Sequence, residues 1–157
     1  MYRSVLLALT VILTGCVSTY PIPEQGVDFT LDRCTPFLNC VSSESVVFLY
    51  KIDSIALVEK LTPANWQKIQ DAALTIQGAT LKETRFGYLD MVCKSSVIGF
   101  PDYFEVLVEP DQRSLAVRSQ SLLGLYDMGV NRNRVETFRK ILQKQGIAKV
   151  VKAAASL

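Results

Sequence analysis

The residues best equipped for chemistry crowd into one stretch, Arg118-Ser-Gln-Ser-Leu-Leu-Gly-Leu-Tyr-Asp-Met-Gly-Val-Asn-Arg-Asn-Arg134. It packs three arginines, one aspartate, two glycines and Asn131 into a strand end, a loop and a helix start. A helix N-terminus offers free N–H groups and a partial positive charge. Guanidinium groups beside it can grip a carboxylate or phosphate through two parallel hydrogen bonds. One reading is therefore a site for an anionic or polar ligand built from Arg118, Asp127, Asn131, Arg132 and Arg134. The other is a brace, in which Asp127 pairs with an arginine and pins the loop while Asn131 caps the helix. Arginine in a first helical turn opposes the macrodipole, so it needs a partner, and Asp127 is the nearest acid.

Carboxylates are the next candidates. Asp90, Asp102, Glu105 and Glu109 fall on or near strands. Asp102 and Glu105 are placed to approach Arg118 on a neighbouring strand, as cross-strand ion pairs or as the acids of an enzyme. The chain has no histidine. That removes Ser-His-Asp and Cys-His catalysis and any metal site needing imidazole. No catalytic residue, metal site or cofactor is assigned.

Net charge is +2 for the whole chain and +1 once the leader, with its one cation Arg3, is set aside. A near-neutral chain has no electrostatic claim on nucleic acid.

The elements that must position these residues follow from spacing. Thr62-Pro63 is a helix start, with threonine as N-cap and proline at the first helical position. Trp66, Ile69, Ala73 and Ile76 then recur at helical spacing, which marks the tryptophan as core, and Gly78 stops the helix. Ala79–Phe86 and Tyr88–Val97 read as a hairpin about Gly87. Tyr103–Glu109 and Ser114–Leu123 read as two more strands, joined through Pro110-Asp111-Gln112. Val135, Phe138, Ile141 and Leu142 form the apolar stripe of a last helix ended by Gly146. Before all these, residues 41–60 read as extended chain with a strand near Ile55–Val58. The fold class is α+β: an antiparallel sheet of about four strands packed on one face by two helices, in the order helix, strands, helix.

The N-terminus is of another kind. Val5–Leu13 is a short apolar run behind Arg3, too short to cross a bilayer and of the length of an export signal. Leu13-Thr14-Gly15-Cys16 resembles the lipobox of bacterial lipoproteins. The resemblance implies diacylglycerol on the Cys16 thiol, cleavage before it and acylation of the new amine. Val17, rather than aspartate, follows the lipidated cysteine, which by the enteric sorting rule implies the outer membrane. The expected organisation is a signal at 1–15, a lipidated, proline-bearing tether at 16–32, one domain at 33–146 and a terminal helix or tail at 147–157.

Export places the remaining cysteines in an oxidising compartment. Cys34 and Cys40 bracket a short loop containing Pro36, and a disulfide is expected between them, contributing about 2 kcal/mol on the chain-entropy model. Cys93 sits in a strand and is expected as a buried free thiol.

The pattern Cys34-x₅-Cys40-Val-Ser-Ser43, Gly99-Phe-x-Asp102 with Glu105, Arg118-Ser-x-Ser121 with Gly124, and Asp127-x-Gly129-Val-Asn-Arg132-x-Arg134-Val135 resembles the family known as domain of unknown function 1499. It covers about residues 33–145. Members of that family are often exported or membrane-associated, and its name implies no activity. The chain departs from the pattern after Ser43, where Val46-Val-Phe-Leu-Tyr50 is apolar in place of a polar loop. The expected function is a non-enzymatic envelope lipoprotein that binds an envelope protein or an anionic ligand, with the membrane reached through Cys16. The alternatives are an enzyme acting on an envelope component, and a purely structural or assembly factor.

Overall fold

The computed structural model describes residues 30–31, 33–34, 36–94 and 99–150. The expected signal, Cys16 and most of the expected tether lie outside the described residues, as do 151–157.

The first helix, α1 (Pro63–Leu74), begins as its sequence demands. Thr62 is extended and its side chain accepts from the Asn65 N–H at 3.2 Å, with Pro63 at the first helical position. Trp66, Ile69, Ala72 and Ala73 form its buried face. Gly78 then turns the chain with φ +70°, and a Cβ there would meet the Lys94 carbonyl oxygen at 2.3 Å, so only glycine fits.

Among the described residues the fold is α+β with an antiparallel sheet and two helices. Four strands match the expected run: β3 (Ala79–Arg85), β4 (Tyr88–Lys94), β5 (Pro101–Val108) and β6 (Ser114–Ser121). Two more precede α1, namely β1 (Cys40–Ser42) and β2 (Ile55–Ala56), and both lie along β6. Among the described residues the sheet therefore has six strands in the order β1-β6-β5-β4-β3, with β2 pairing β6 beside β1. This corrects the expected four strands and the helix-first order, although the strand read near Ile55–Val58 is present as β2. A strand of three residues such as β1 carries no readable alternation; its pairing with β6 makes it a strand.

The chain after the last helix, α2 (Val130–Lys144), returns to the sheet. Val58 N–H donates to the Ile147 carbonyl and Lys149 N–H to the Ala56 carbonyl, both at 2.9 Å, and Ala148 is buried. Residues 147–149 thus lie beside β2, with Ala148 bridged to Leu57.

Alternation along the strands sorts their side chains between two faces. Leu89, Met91, Cys93, Phe104, Val106, Leu115 and Val117 share a core with Trp66, Ile69, Ala72 and Ala73 of α1 and with Val135, Phe138 and Leu142 of α2. Phe104 meets Phe138 edge-on, with ring centroids 5.3 Å apart. Both helices therefore cover one face of the sheet. On the other face Leu31, Tyr88, Leu107 and Ala116 form a smaller cluster. Cys34 and Cys40 are disulfide-bonded and Cys93 is a buried free thiol, as expected.

Candidate functional site

The loop before α2 puts its aspartate to a use the sequence left open. The Asp127 carboxylate accepts from the Gly129 N–H at 2.9 Å and from the Asn131 N–H at 2.8 Å. It caps the helix from two residues before the N-cap, Gly129. The acid also complements the positive end of the helix dipole. Gly129, with φ +81°, takes the N-cap position itself. Two expectations are corrected here. Asn131 does not cap α2, and Asp127 pairs with no arginine among the described residues, because its oxygens are taken by the backbone.

Asn131 instead lies wholly buried inside the first turn. Its side-chain carbonyl accepts from Arg134 at 2.5 Å and sits 2.7 Å from Ser119 Oγ. Its amide donates to the Asn39 carbonyl and to Ser121 Oγ, each at 2.9 Å. Arg134, one turn on, reaches the same Ser119 hydroxyl at 2.8 Å and forms an ion pair with Asp102 on β5. Ser119 and Ser121 are two apart on β6 and so share the face toward α2. Asn39 closes the group by donating to the Gly124 carbonyl at 2.6 Å, tying the residue before β1 to the loop after β6. Each member is less than a tenth exposed apart from Gly124. The buried side chains of the group knit α2, β1, β5 and β6 together.

Arg118 does not belong to it. Standing next to Ser119, it points to the opposite face of the sheet, where it pairs with Glu105 at 2.5 Å. It is 1% exposed, and it also bonds the Gln120 side-chain carbonyl on its own strand. Tyr88 donates its hydroxyl to Glu105 at 3.1 Å. Burial and the neighbouring Glu105 carboxylate push the Tyr88 phenol well above its ordinary range.

The thickness of the sheet thus separates Arg118 from Asn131 and Arg134. It likewise separates Asp102, on the helix side, from Glu105, so the two acids do not converge as a dyad. Glu105 reaches Arg118 as anticipated; Asp102 goes to Arg134 instead.

The face carrying Arg118 holds residues that spacing alone did not single out as a group. Asp90 stands directly opposite Glu105 in the β4–β5 register. Lys82 Nζ lies 3.3 Å from Asp90 and over the Tyr103 ring, 4.6 Å from its centroid. Burial raises the Asp90 carboxyl to about 6, against the pull of Lys82, and its Oδ1 has no hydrogen-bond partner. An acid inside the apolar run Tyr88–Cys93 was the available signal. Asn39 gave none, since its partners lie more than 80 residues away.

Arg132, unlike Asn131 and Arg134, is exposed. It donates to the Lys51 carbonyl at 2.8 Å and lines an open cleft of about 400 Å³ with Phe48, Leu49, Lys51, Ile52, Asp53 and Glu136. The cleft offers two cations, two carboxylates and an apolar wall, a mixture suited to holding a polar or charged group. Among the described residues no cluster of His, Cys, Asp or Glu is placed to hold a metal ion. No helix among them is long and apolar enough to cross a membrane.

Comparison with curated proteins finds no match, and comparison with solved structures finds none. The family model described as "Protein of unknown function (DUF1499)" matches residues 30–142, from ahead of the disulfide loop into the last turn of α2, and the chain belongs to that family.

Proposed function

We propose that this chain is an envelope lipoprotein, held by lipid on Cys16 at the outer membrane and facing the periplasm, and that its domain binds an envelope protein or an anionic ligand rather than catalysing a reaction. One observation carries the binding reading. Of the residues expected to form the site, Arg118, Asn131 and Arg134 are buried and engaged inside the fold, whereas Arg132 stands exposed in a cleft. The buried arginines and amides serve as a frame, and Arg132 with Lys51 is what that frame presents to solvent.

Replacing Arg132 by alanine tests this. The side chain is exposed and makes one hydrogen bond to backbone, so the variant should melt within about 0.5 kcal/mol of the parent. It should fail to restore function in cells lacking the gene. Loss of melting stability together with function assigns Arg132 to the brace and leaves a structural role. Cell fractionation of Cys16→Ser tests the anchor separately: the variant should escape processing and acylation, and a processed variant still sedimenting with membranes sinks the lipoprotein reading.

A further inference from the structure

Four consecutive apolar residues, Val46-Val-Phe-Leu49, are 99%, 46%, 88% and 63% exposed, and the 3₁₀ turn Phe48–Tyr50 buries none of its residues. Exposed runs of this length are avoided in water unless they meet something. The turn is firmly built. Tyr50 N–H donates to the Val47 carbonyl and Lys51 N–H to the Phe48 carbonyl. Ser45 Oγ accepts from the Val47 N–H at 3.2 Å. At its base Ser42 bridges Lys51, the Lys51 ammonium reaches the Ser43 carbonyl, and Arg132 holds the Lys51 carbonyl. Bonding the Val47, Tyr50 and Lys51 N–H groups internally lowers the cost of bringing the turn into a layer poor in water.

Its place in the fold names that layer. The Leu31 N–H donates to the Glu44 carboxylate at 2.7 Å, so the chain arriving from Cys16 meets the domain two residues before Val46. The fourteen residues between Cys16 and Leu31 span at most about 50 Å when extended. The described chain thus meets the domain at Glu44, two residues from the apolar turn, and a tether of that length leaves the turn within reach of the bilayer that holds the lipid. Lys51 and Arg132 sit at the base of the turn, at the height where phosphate headgroups would lie, although Asp53 and Glu136 line the same cleft.

We propose that the Val46–Leu49 turn inserts into the interfacial layer of the bilayer that holds the Cys16 lipid, fixing the orientation of the domain on the membrane. This rests on the lipoprotein reading. Phe48 and Leu49 would lie roughly 5–10 Å deep, at the headgroup–acyl boundary, as interfacial apolar groups do.

The test uses the full-length acylated protein in vesicles of phosphatidylethanolamine and phosphatidylglycerol. An environment-sensitive fluorophore is attached at Phe48→Cys, and in a second protein at Lys68→Cys, exposed on α1, which packs against β3 at the opposite edge of the sheet. Lipids spin-labelled near the headgroup should quench position 48 several-fold more than position 68, and Leu49→Cys should behave as 48 does. Equal quenching at 48 and 68 in protein whose Cys16 acylation is confirmed by mass overturns the insertion and leaves the anchor standing. Absence of acyl mass on Cys16 overturns the anchor and the insertion with it. A label at 48 that stays unquenched in vesicles but is shielded from aqueous iodide in native membranes assigns the turn to a protein partner and also overturns the proposal.

Discussion

Arg134 on α2 and Asp102 on β5, 32 residues apart, form an ion pair in which both side chains are under 8% exposed. Breaking a buried pair from one side strands a charge where water cannot reach it. Arg134→Met should therefore cost about 3–5 kcal/mol in urea denaturation. Replacing both partners, Arg134→Met with Asp102→Leu, should recover much of that loss. A single-variant cost below about 1 kcal/mol would remove Arg134 from the frame.

Asp127 supplies acceptors to two backbone N–H groups at the start of α2. Asp127→Ala should cost about 1–2 kcal/mol, the range of a lost helix cap. Asp127→Asn, which keeps one acceptor oxygen, should lose less. Equal losses in the two variants would mean that a charge contact, and not the cap, is what Asp127 contributes.

Asp90 predicts a pH dependence. Burial raises its carboxyl from the ordinary value near 4 to about 6 in the folded chain. The fold favours the protonated form, so the contribution of Asp90 to stability is fully present below about pH 4 and is lost as pH rises through 6. Asp90→Asn removes that dependence. Stability of the parent relative to the variant should fall by up to about 3 kcal/mol between pH 4 and pH 7 and stay level above. A parent–variant difference that does not move with pH would show that Asp90 titrates normally.

Cys93 is buried, and burial pushes its thiol up to about 11, with Arg134 pulling it down and Asp102 adding to the rise. Thiolate is the reactive form. At pH 8 a disulfide reagent should modify Cys93 at least about a hundredfold more slowly in the native protein than in guanidinium. Comparable rates would place the thiol at the surface.

What spacing made legible was local. Thr62 and Pro63 start α1 because the cap and the missing N–H act within one turn. Cys34 and Cys40 join because six residues of chain cannot carry them far apart. The alternation over 79–121 and the stripe Val135–Leu142 announce long strands and a long helix, since each pattern spans enough residues to be read. The clustering of arginines and acids was visible too, but not its arrangement.

The arrangement depended on register. Whether Arg118 joined Asn131 and Arg134 or faced away turned on a single step along β6, since adjacent side chains leave a strand on opposite faces. Whether Asp127 met an arginine or the backbone turned on the left-handed bend at Met128 and Gly129.

By itself, then, the sequence determined the disulfide loop, the α+β class and the residues from which a site would be chosen. Those features need only neighbours a few positions away, or a pattern repeated over one element. The tertiary structure decided which of those residues are frame and which are surface. That choice rests on contacts such as Asn39 with Asn131, 92 positions apart. It was made when the sheet closed and left Arg132 outside.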